Sequence, residues 1–304
     1  MTLRQLEYFV ATVDAGSITR AALDLRVAQP SLSVQLRTLE DELGGRLLER
    51  SARGVQPTAA GEAMLPAARA ALAASGRAAR AARAALGLQA GEVELGTVGS
   101  VALGLLPAAI RRWQAEQPDR TVRLSELRDG PALVQAILDG AAELGIGPRP
   151  LEWPGVVRPL GWEELVVVLP PGDRELRRTG AVRLQRLATR RWVMFERGHA
   201  LGALAEQLCR AEGFEPQPAV RTAQIAAAPV LAAAGLGPAL VPRNIVSPEL
   251  HDLARSLSPP RARELCAFAR DRFSPLAAAF LDVLDREPWP RRPRGAEEVG
   301  AVGA

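Results

Sequence analysis

The sequence predicts a mixed fold: an all-α head, one long linker helix, and an α/β region in two parts. Three observations carry this reading. Residues 1–57 show capped helical spacing, residues 58–88 hold an Ala-rich heptad run, and from Gly91 apolar strand-like runs alternate with helical patterns. A chain of 304 residues has room for about two domains.

The head comes first. Leu3, Leu6, Phe9, Val10 and Val13 recur at helical spacing until Gly16 ends the pattern. Ser17 is placed to cap a second helix that buries Ile18, Ala21, Ala22 and Leu25. Leu32, Leu36, Leu39 and Leu43 then form a single stripe, with Gly44 just past it as a stop. Two helices across a tight turn, the second presenting small polar and basic residues, make a helix-turn-helix pattern. Thr58 is placed to cap the Ala-rich run that follows. There Leu65, Leu72, Ala79 and Leu86 stand seven apart with small residues between them, a seam suited to pairing with a second copy. Pro66 predicts a kink near its start. The alternative is a solvated connector.

In the α/β region, residues 93–98, 122–127 and 144–146 read as strands and residues 101–113 and 132–138 as helices. A buried strand over 164–169 ends at two prolines, and a second set follows. Its strands lie over 192–195, 219–222, 237–241 and 264–269, and its helices over 201–211, 225–234 and 275–286. This alternation predicts a mostly parallel sheet. Residues 288–304, rich in Pro, Arg and Gly, read as a disordered tail.

Composition excludes several classes. Apolar residues make up 48% and charged residues 24%, so wholesale disorder is ruled out. No apolar stretch is long enough to cross a bilayer, and the N-terminus carries no secretory pattern, so a cytoplasmic protein is expected. The two cysteines, Cys209 and Cys266, lack paired spacing and read as small buried apolar residues, with no metal site. All 38 basic residues are Arg. Residues 1–90 hold 11 Arg against 8 acids, and residues 91–304 hold 27 against 26, so the excess lies toward the head. A polyanion could use it there.

The runs LRQLEYF (3–9), GSITRAA (16–22), AQPSLS (28–33) and LEDELGGRLLER (39–50), closing on PTAAG (57–61), resemble the head of LysR-type transcriptional regulators. The remainder, to about Arg286, resembles that family's linker helix and its two-lobed effector domain, similar to type II periplasmic solute-binding proteins. The resemblance implies a winged helix-turn-helix over 1–58 and a linker and dimerisation helix over 59–88. It implies one lobe from 89–163 with 264–287, and a second from 164–263. It also implies a homodimer or homotetramer that binds promoter or operator duplex DNA and a small-molecule effector, works with RNA polymerase, touches no membrane and needs no cofactor. Ala28 stands where the family often has Ser or Thr, Val34 where a polar reader is common, and Leu48 where Phe is common.

With the leucine stripe inward, Pro30, Val34 and Arg37 point outward, flanked by Ser31 and Ser33. Arg37 can bridge guanine O6 and N7, Val34 can touch a thymine methyl, Ser33 can reach a base edge or phosphate, and Gln29 can reach adenine. Arg50 and Arg53 fall in the expected wing and suit phosphate contact, with Gly54 permitting its turn. The alternative is an ordinary solvated helix face.

A second site is expected where the strand over 93–98 enters a small polar turn and a helix. Ser100 offers a hydroxyl, and it and Val101 begin a helix whose N–H groups suit a carboxylate or phosphate. The resemblance puts the effector pocket at this turn, between the lobes. Asp129, Gly130, Gly147, Phe195, His199, Thr222 and Gln224 are further candidates, each able instead to be a helix cap or loop residue. No enzyme is expected: nucleophile elbow, P-loop lysine and zinc-protease motifs are missing, and a hydrolase would have to pair Ser100 with His199. A plain solute-binding protein is the remaining alternative; the basic head argues against it.

Overall fold

The computed structural model describes residues 1–51, 54–85, 91–178 and 180–300, without the side chains at 50, 51, 77, 80, 81 and 83–85. The chain divides into two compact units, one built on the head and its long helix, the other on the α/β region.

In the head, Thr2 opens helix α1 (Leu3–Ala15) with a capping box, and Gly16 closes it at φ +60. Ser17 caps α2 (Ile18–Asp24), as expected. The turn after α2 contains Arg26 at φ +55, a left-handed conformation that a side chain makes costly. Helix α3 (Gln29–Leu43) starts at Ala28 with no side-chain cap. Leu6, Phe9, Ala21, Leu32, Leu36 and Leu39 form the shared core. Leu43 does not join it: at the last turn of α3 it is 49% exposed.

Strands β1 (Leu48–Ser51) and β2 (Gly54–Pro57) pair as an antiparallel hairpin, Leu48 opposite Pro57 and Ser51 opposite Gly54. The hairpin is tied to α1 by Val55 N–H donating to Gly16 O at 2.9 Å. A Cβ at Gly54 would lie 2.6 Å from that same oxygen, so glycine is required there for space as well as for φ +113. Thr58 Oγ1 accepts from Gly61 N at 3.2 Å and starts α4 (Ala59–Ala85).

Along α4 the expected pairing seam is partly spent on the head itself. Met64, Leu65, Ala68 and Leu72 pack against the head core, and Arg69 pairs with Asp14 of α1. Ala79 is exposed, and Leu86 lies outside the described residues.

The α/β unit runs β3 (Gly91–Val98), α5 (Gly99–Gly104), α6 (Leu106–Glu116), β4 (Arg120–Leu127), α7 (Gly130–Asp139), β5 (Leu144–Pro148) and β6 (Val156–Val168). It continues with β7 (Arg191–Phe195), α8 (Ala200–Ala211), β8 (Gln217–Thr222), α9 (Ala227–Ala233), β9 (Ala239–Pro242), β10 (Ala254–Ala269), α10 (Pro275–Leu284) and β11 (Glu297–Glu298). The main sheet has the order β4-β3-β5-β10-β6-β9, with β11 beside β10, and β7 pairs with β8 separately.

The sheet is mixed, which corrects the expected mostly parallel one. β4, β3 and β5 are parallel, but β10 runs antiparallel to both β5 and β6, and β9 antiparallel to β6. The reason is the length of β6 and β10, 13 and 16 residues, which pass through both halves as one antiparallel pair. Two cores result, one from Val93–Ile146 and Leu265–Leu284 side chains, the other from residues 165–257.

The tail also differs from expectation through residue 300. Trp289 packs on the first core and donates from Nε1 to Leu284 O at 2.8 Å, Trp162 N donates to Pro290 O at 2.8 Å, and Arg292 stacks over Trp162. β11 then lies parallel to Arg261–Ala262. Apolar anchoring by Trp289 holds a segment whose composition alone reads as disordered.

Candidate functional site

Two surfaces answer to the sequence reading. On the first, Gln29, Pro30, Ser31, Val34 and Arg37 are exposed on α3, and Ser33 is half-buried. They form one face because Leu32, Leu36 and Leu39 occupy the other. Gln29 Nε2 donates to Ser33 Oγ at 2.8 Å, and Arg37 makes no ion pair among the described residues. Val34, 55% exposed, offers a methyl-sized apolar spot between polar neighbours. Arg50 lies on β1 with its side chain outside the described set, and Arg53 lies outside the described residues.

The second surface is a cavity of about 310 Å³ in the α/β unit. It gathers the starts of four helices: Gly99 and Ser100 of α5, Asp129 and Gly130 at α7, His199 and Ala200 at α8, and Ala226 at α9. Of the candidates, Ser100, Asp129, Gly130, His199 and Gln224 line it.

Four candidates do not. Val101 is fully buried in the first core, because the helical turn that opens Ser100 to the cavity turns its neighbour inward. Gly147 sits under Leu133, where a Cβ would meet its Cδ2 at 2.7 Å. Phe195 is buried beneath His199, stacked at 4.5 Å between ring centroids. Thr222 turns back on its own loop and accepts from Gln224 N at 3.0 Å.

Arg263 is a cavity residue that the strand reading missed, because the run was expected to begin one residue later, at Glu264. Its guanidinium lines the cavity, donates from Nη2 to Ser100 Oγ at 3.3 Å, and pairs from Nε with Glu163 Oε2 at 2.6 Å. Because Arg263 donates to Oγ, the Ser100 proton remains free for a ligand. Asn244, after β9, donates from Nδ2 to Ser100 O at 2.8 Å and holds the turn from the other core's side.

The remaining charges are largely spent. Asp129 Oδ1 caps α7 by accepting from Ala132 N at 2.8 Å, while Oδ2 pairs with Arg128 Nε at 3.0 Å. His199 caps α8, its Nδ1 accepting from Leu201 N at 3.2 Å. Burial holds its pKa below the ordinary value, against an opposing pull from Asp129. Acceptance of the Leu201 N–H by Nδ1 fits the neutral tautomer with its proton on Nε2, a hydrogen-bond donor. Ser100 and His199 each have other partners, so no nucleophile–base pair is assembled. Of the two acids lining the cavity, Glu126, exposed at the rim, is the one with no ion pair among the described residues.

Residues 3–62 match the bacterial regulatory helix-turn-helix protein family of lysR type, and residues 86–288 match the LysR substrate binding domain. The chain belongs to the LysR family. It is similar to the HTH-type transcriptional regulator TfdS of Cupriavidus pinatubonensis, 31% identical over 294 residues, covering 94% of this chain and 98% of that one. It is also 32% identical over 245 residues to a probable hydrogen peroxide-inducible genes activator of Mycobacterium leprae, covering 80% and 78% of the two chains. Among solved structures it resembles CbnR, a LysR family transcriptional regulator, with a TM-score of 0.63 and 26% identity over 94% of this chain and 99% of that one. Full-length CbnR complexed with its target DNA matches equally, at 27% identity and a TM-score of 0.63.

This LysR-type chain is a DNA-binding transcriptional regulator with a substrate-binding domain, and not an enzyme. Among the described residues no helix is long and apolar enough to cross a membrane, and no cluster of His, Cys, Asp or Glu could hold a metal ion.

Proposed function

We propose that this LysR-type regulator admits a small effector with one anionic group into the cavity beside Ser100, and that occupancy alters promoter binding or activation. The observation that carries the reading is Arg263, a buried guanidinium open to the cavity and seated on the Ser100 hydroxyl. Charge-assisted hydrogen bonds to a carboxylate are the strong ones, and Ser100 and His199 add neutral donors around the same space. The lining also limits the ligand. Arg263 is paired with Glu163 and Arg128 with Asp129, so the lining holds no surplus positive charge and a dense polyanion is not accommodated. Glu126 at the rim favours a ligand that also carries a donor such as a hydroxyl. A cavity of about 310 Å³ suits a small metabolite.

In the head, the outward face of α3 reads bases through Arg37, Val34 and Gln29, and the hairpin contacts phosphate through Arg50 and Arg53. Assembly as a homodimer or homotetramer, a cytoplasmic location and communication with RNA polymerase complete the reading, supported by family membership.

A peroxide-sensing reading, raised by the mycobacterial relative, fits less well. The thiols of Cys209 and Cys266 are buried, and desolvation pushes both up to about 12, leaving no thiolate to react.

The test is a thermal-shift panel of small mono- and dicarboxylates on the full chain, followed by titration of any hit into Ser100→Ala. Loss of one hydrogen bond to a charged group, about 1.5–3 kcal/mol, weakens affinity roughly tenfold to a hundredfold. Operator binding by the head should survive. Equal affinity in parent and variant would move the effector away from this turn.

A further inference from the structure

The net charge of the α/β region conceals a sharp contrast. Residues 174–191 hold seven Arg against one acid, a net +6, whereas the whole chain carries only +4, so everything outside this segment sums to −2. A large local excess of Arg over acids therefore lies in the α/β region, outside the helix-turn-helix head.

The structure anchors this segment through its apolar side chains. Val182, Leu184 and Leu187 are buried in the core, and Val182 is tied to the first residues of β10 by hydrogen bonds to Ser256 O at 2.8 Å and from Ser258 N at 2.9 Å. With Leu176, Val182, Leu184 and Leu187 turned inward or half-covered, most of the arginines are left on the outside. Arg178 and Arg186 lean on the buried Glu175, and Arg190 on Asp173. Arg174, Arg177 and Arg183 are exposed and make no ion pair among the described residues. Arg255 joins the same patch, donating to Leu176 O at 3.1 Å, and carries a further charge with only carbonyl partners.

From this we infer that the patch around Arg174, Arg177 and Arg183 is a second DNA contact, one that grips duplex backbone phosphates without reading sequence. Three features favour duplex backbone over the alternatives. Phosphate contact needs only cationic side chains at the surface, which the patch supplies. A protein partner would be held by a buried apolar or aromatic anchor, and the patch exposes none. Single-stranded nucleic acid would need an aromatic platform for base stacking, and no exposed aromatic side chain lies between residues 174 and 191.

The test compares full-length parent with the triple variant R174Q/R177Q/R183Q, whose altered residues make no ion pair among the described residues. Binding is measured against salt on two duplexes, one trimmed to the operator and one extended on both sides. On the extended duplex the variant should lose about 0.9 from the log–log salt slope for each phosphate contact removed, and on the trimmed duplex less. The R174K/R177K/R183K variant should recover the slope, since a phosphate contact requires charge rather than a guanidinium fork. Equal slopes for parent and glutamine variant on both duplexes would overturn the inference. So would unchanged duplex binding joined to loss of transcription with purified RNA polymerase, which would make the patch a protein contact, or a changed sedimentation coefficient, which would make it a subunit interface.

Discussion

Arg263 and Glu163 stand directly opposite each other on the antiparallel strands β10 and β6, and their side chains meet with Glu163 fully buried. Nε of the arginine lies 2.6 Å from Oε2 of the glutamate, while Glu163 Oε1 has no hydrogen-bond partner. The pair ties the two long strands together where they pass the cavity, and the arginine alone reaches the space where a ligand would sit.

That asymmetry separates stability from binding. Arg263→Met alone leaves a buried carboxylate without its partner and should cost about 3–5 kcal/mol of stability. Replacing both residues with apolar ones (R263M/E163L) should recover most of that loss, because a buried pair is often no more stabilising than a packed apolar pair. The carboxylate ligand should bind neither variant. Denaturant unfolding and titration together check this; a double variant that still bound the ligand would remove Arg263 from the site.

His199 gives the cavity a pH dependence of definite sign. Its folded pKa is lowered, so between the ordinary value near 6.5 and the folded value the unfolded chain binds more protons. The stability it confers is present above about 6.5 and is lost as pH falls through the folded value. Protonation would also end acceptance of the Leu201 N–H by Nδ1. His199→Asn keeps an N-cap acceptor without titrating, and its unfolding midpoint should fall less between neutral and mildly acidic pH. Parallel declines in parent and variant would assign the pH response to other groups.

At Ala28 the start of α3 has φ −69, ψ 129 and no side-chain cap. The backbone is already that of an N-cap, so Ala28→Ser should add a hydrogen bond to the first turn and stabilise the head by ~1 kcal/mol. A thermal midpoint that stayed level or dropped would contradict this.

The long helix carries two separable roles. Leu72 is packed on the head core, so Leu72→Asp should lower head stability by about 1–2 kcal/mol whatever it does to assembly. Ala79 is exposed and touches no part of that core, so Ala79→Asp tests pairing alone. If α4 pairs along its small-residue seam, Ala79→Asp should shift sedimentation toward monomer at unchanged unfolding midpoint.

Features that depend only on neighbours along the chain could be read from the residues alone. Ser17, Gly16, Gly44 and Thr58 act at the helix ends where their chemistry puts them, since capping involves only a few adjacent residues. The outward face of α3 was legible for the same reason: a 3.6-residue period places Arg37 and Val34 once the leucines are seen. Ser100, Asp129, Gly130, His199 and Gln224 could be picked out because each sits beside a change from strand or loop to helix. The rest depends on contacts between residues distant in the chain. Strand direction depends on partners far away in the chain, so the antiparallel β6–β10 pair, and with it the mixed sheet, left no local trace. Arg263 became a cavity residue because β10 crosses between the cores, and its link to Glu163 spans 100 positions. Val101 and Phe195 look no different from their neighbours as letters; packing turned them away from the cavity. The tail behaves likewise: a stretch of Pro and Arg with little propensity of its own is held by where Trp289 lands.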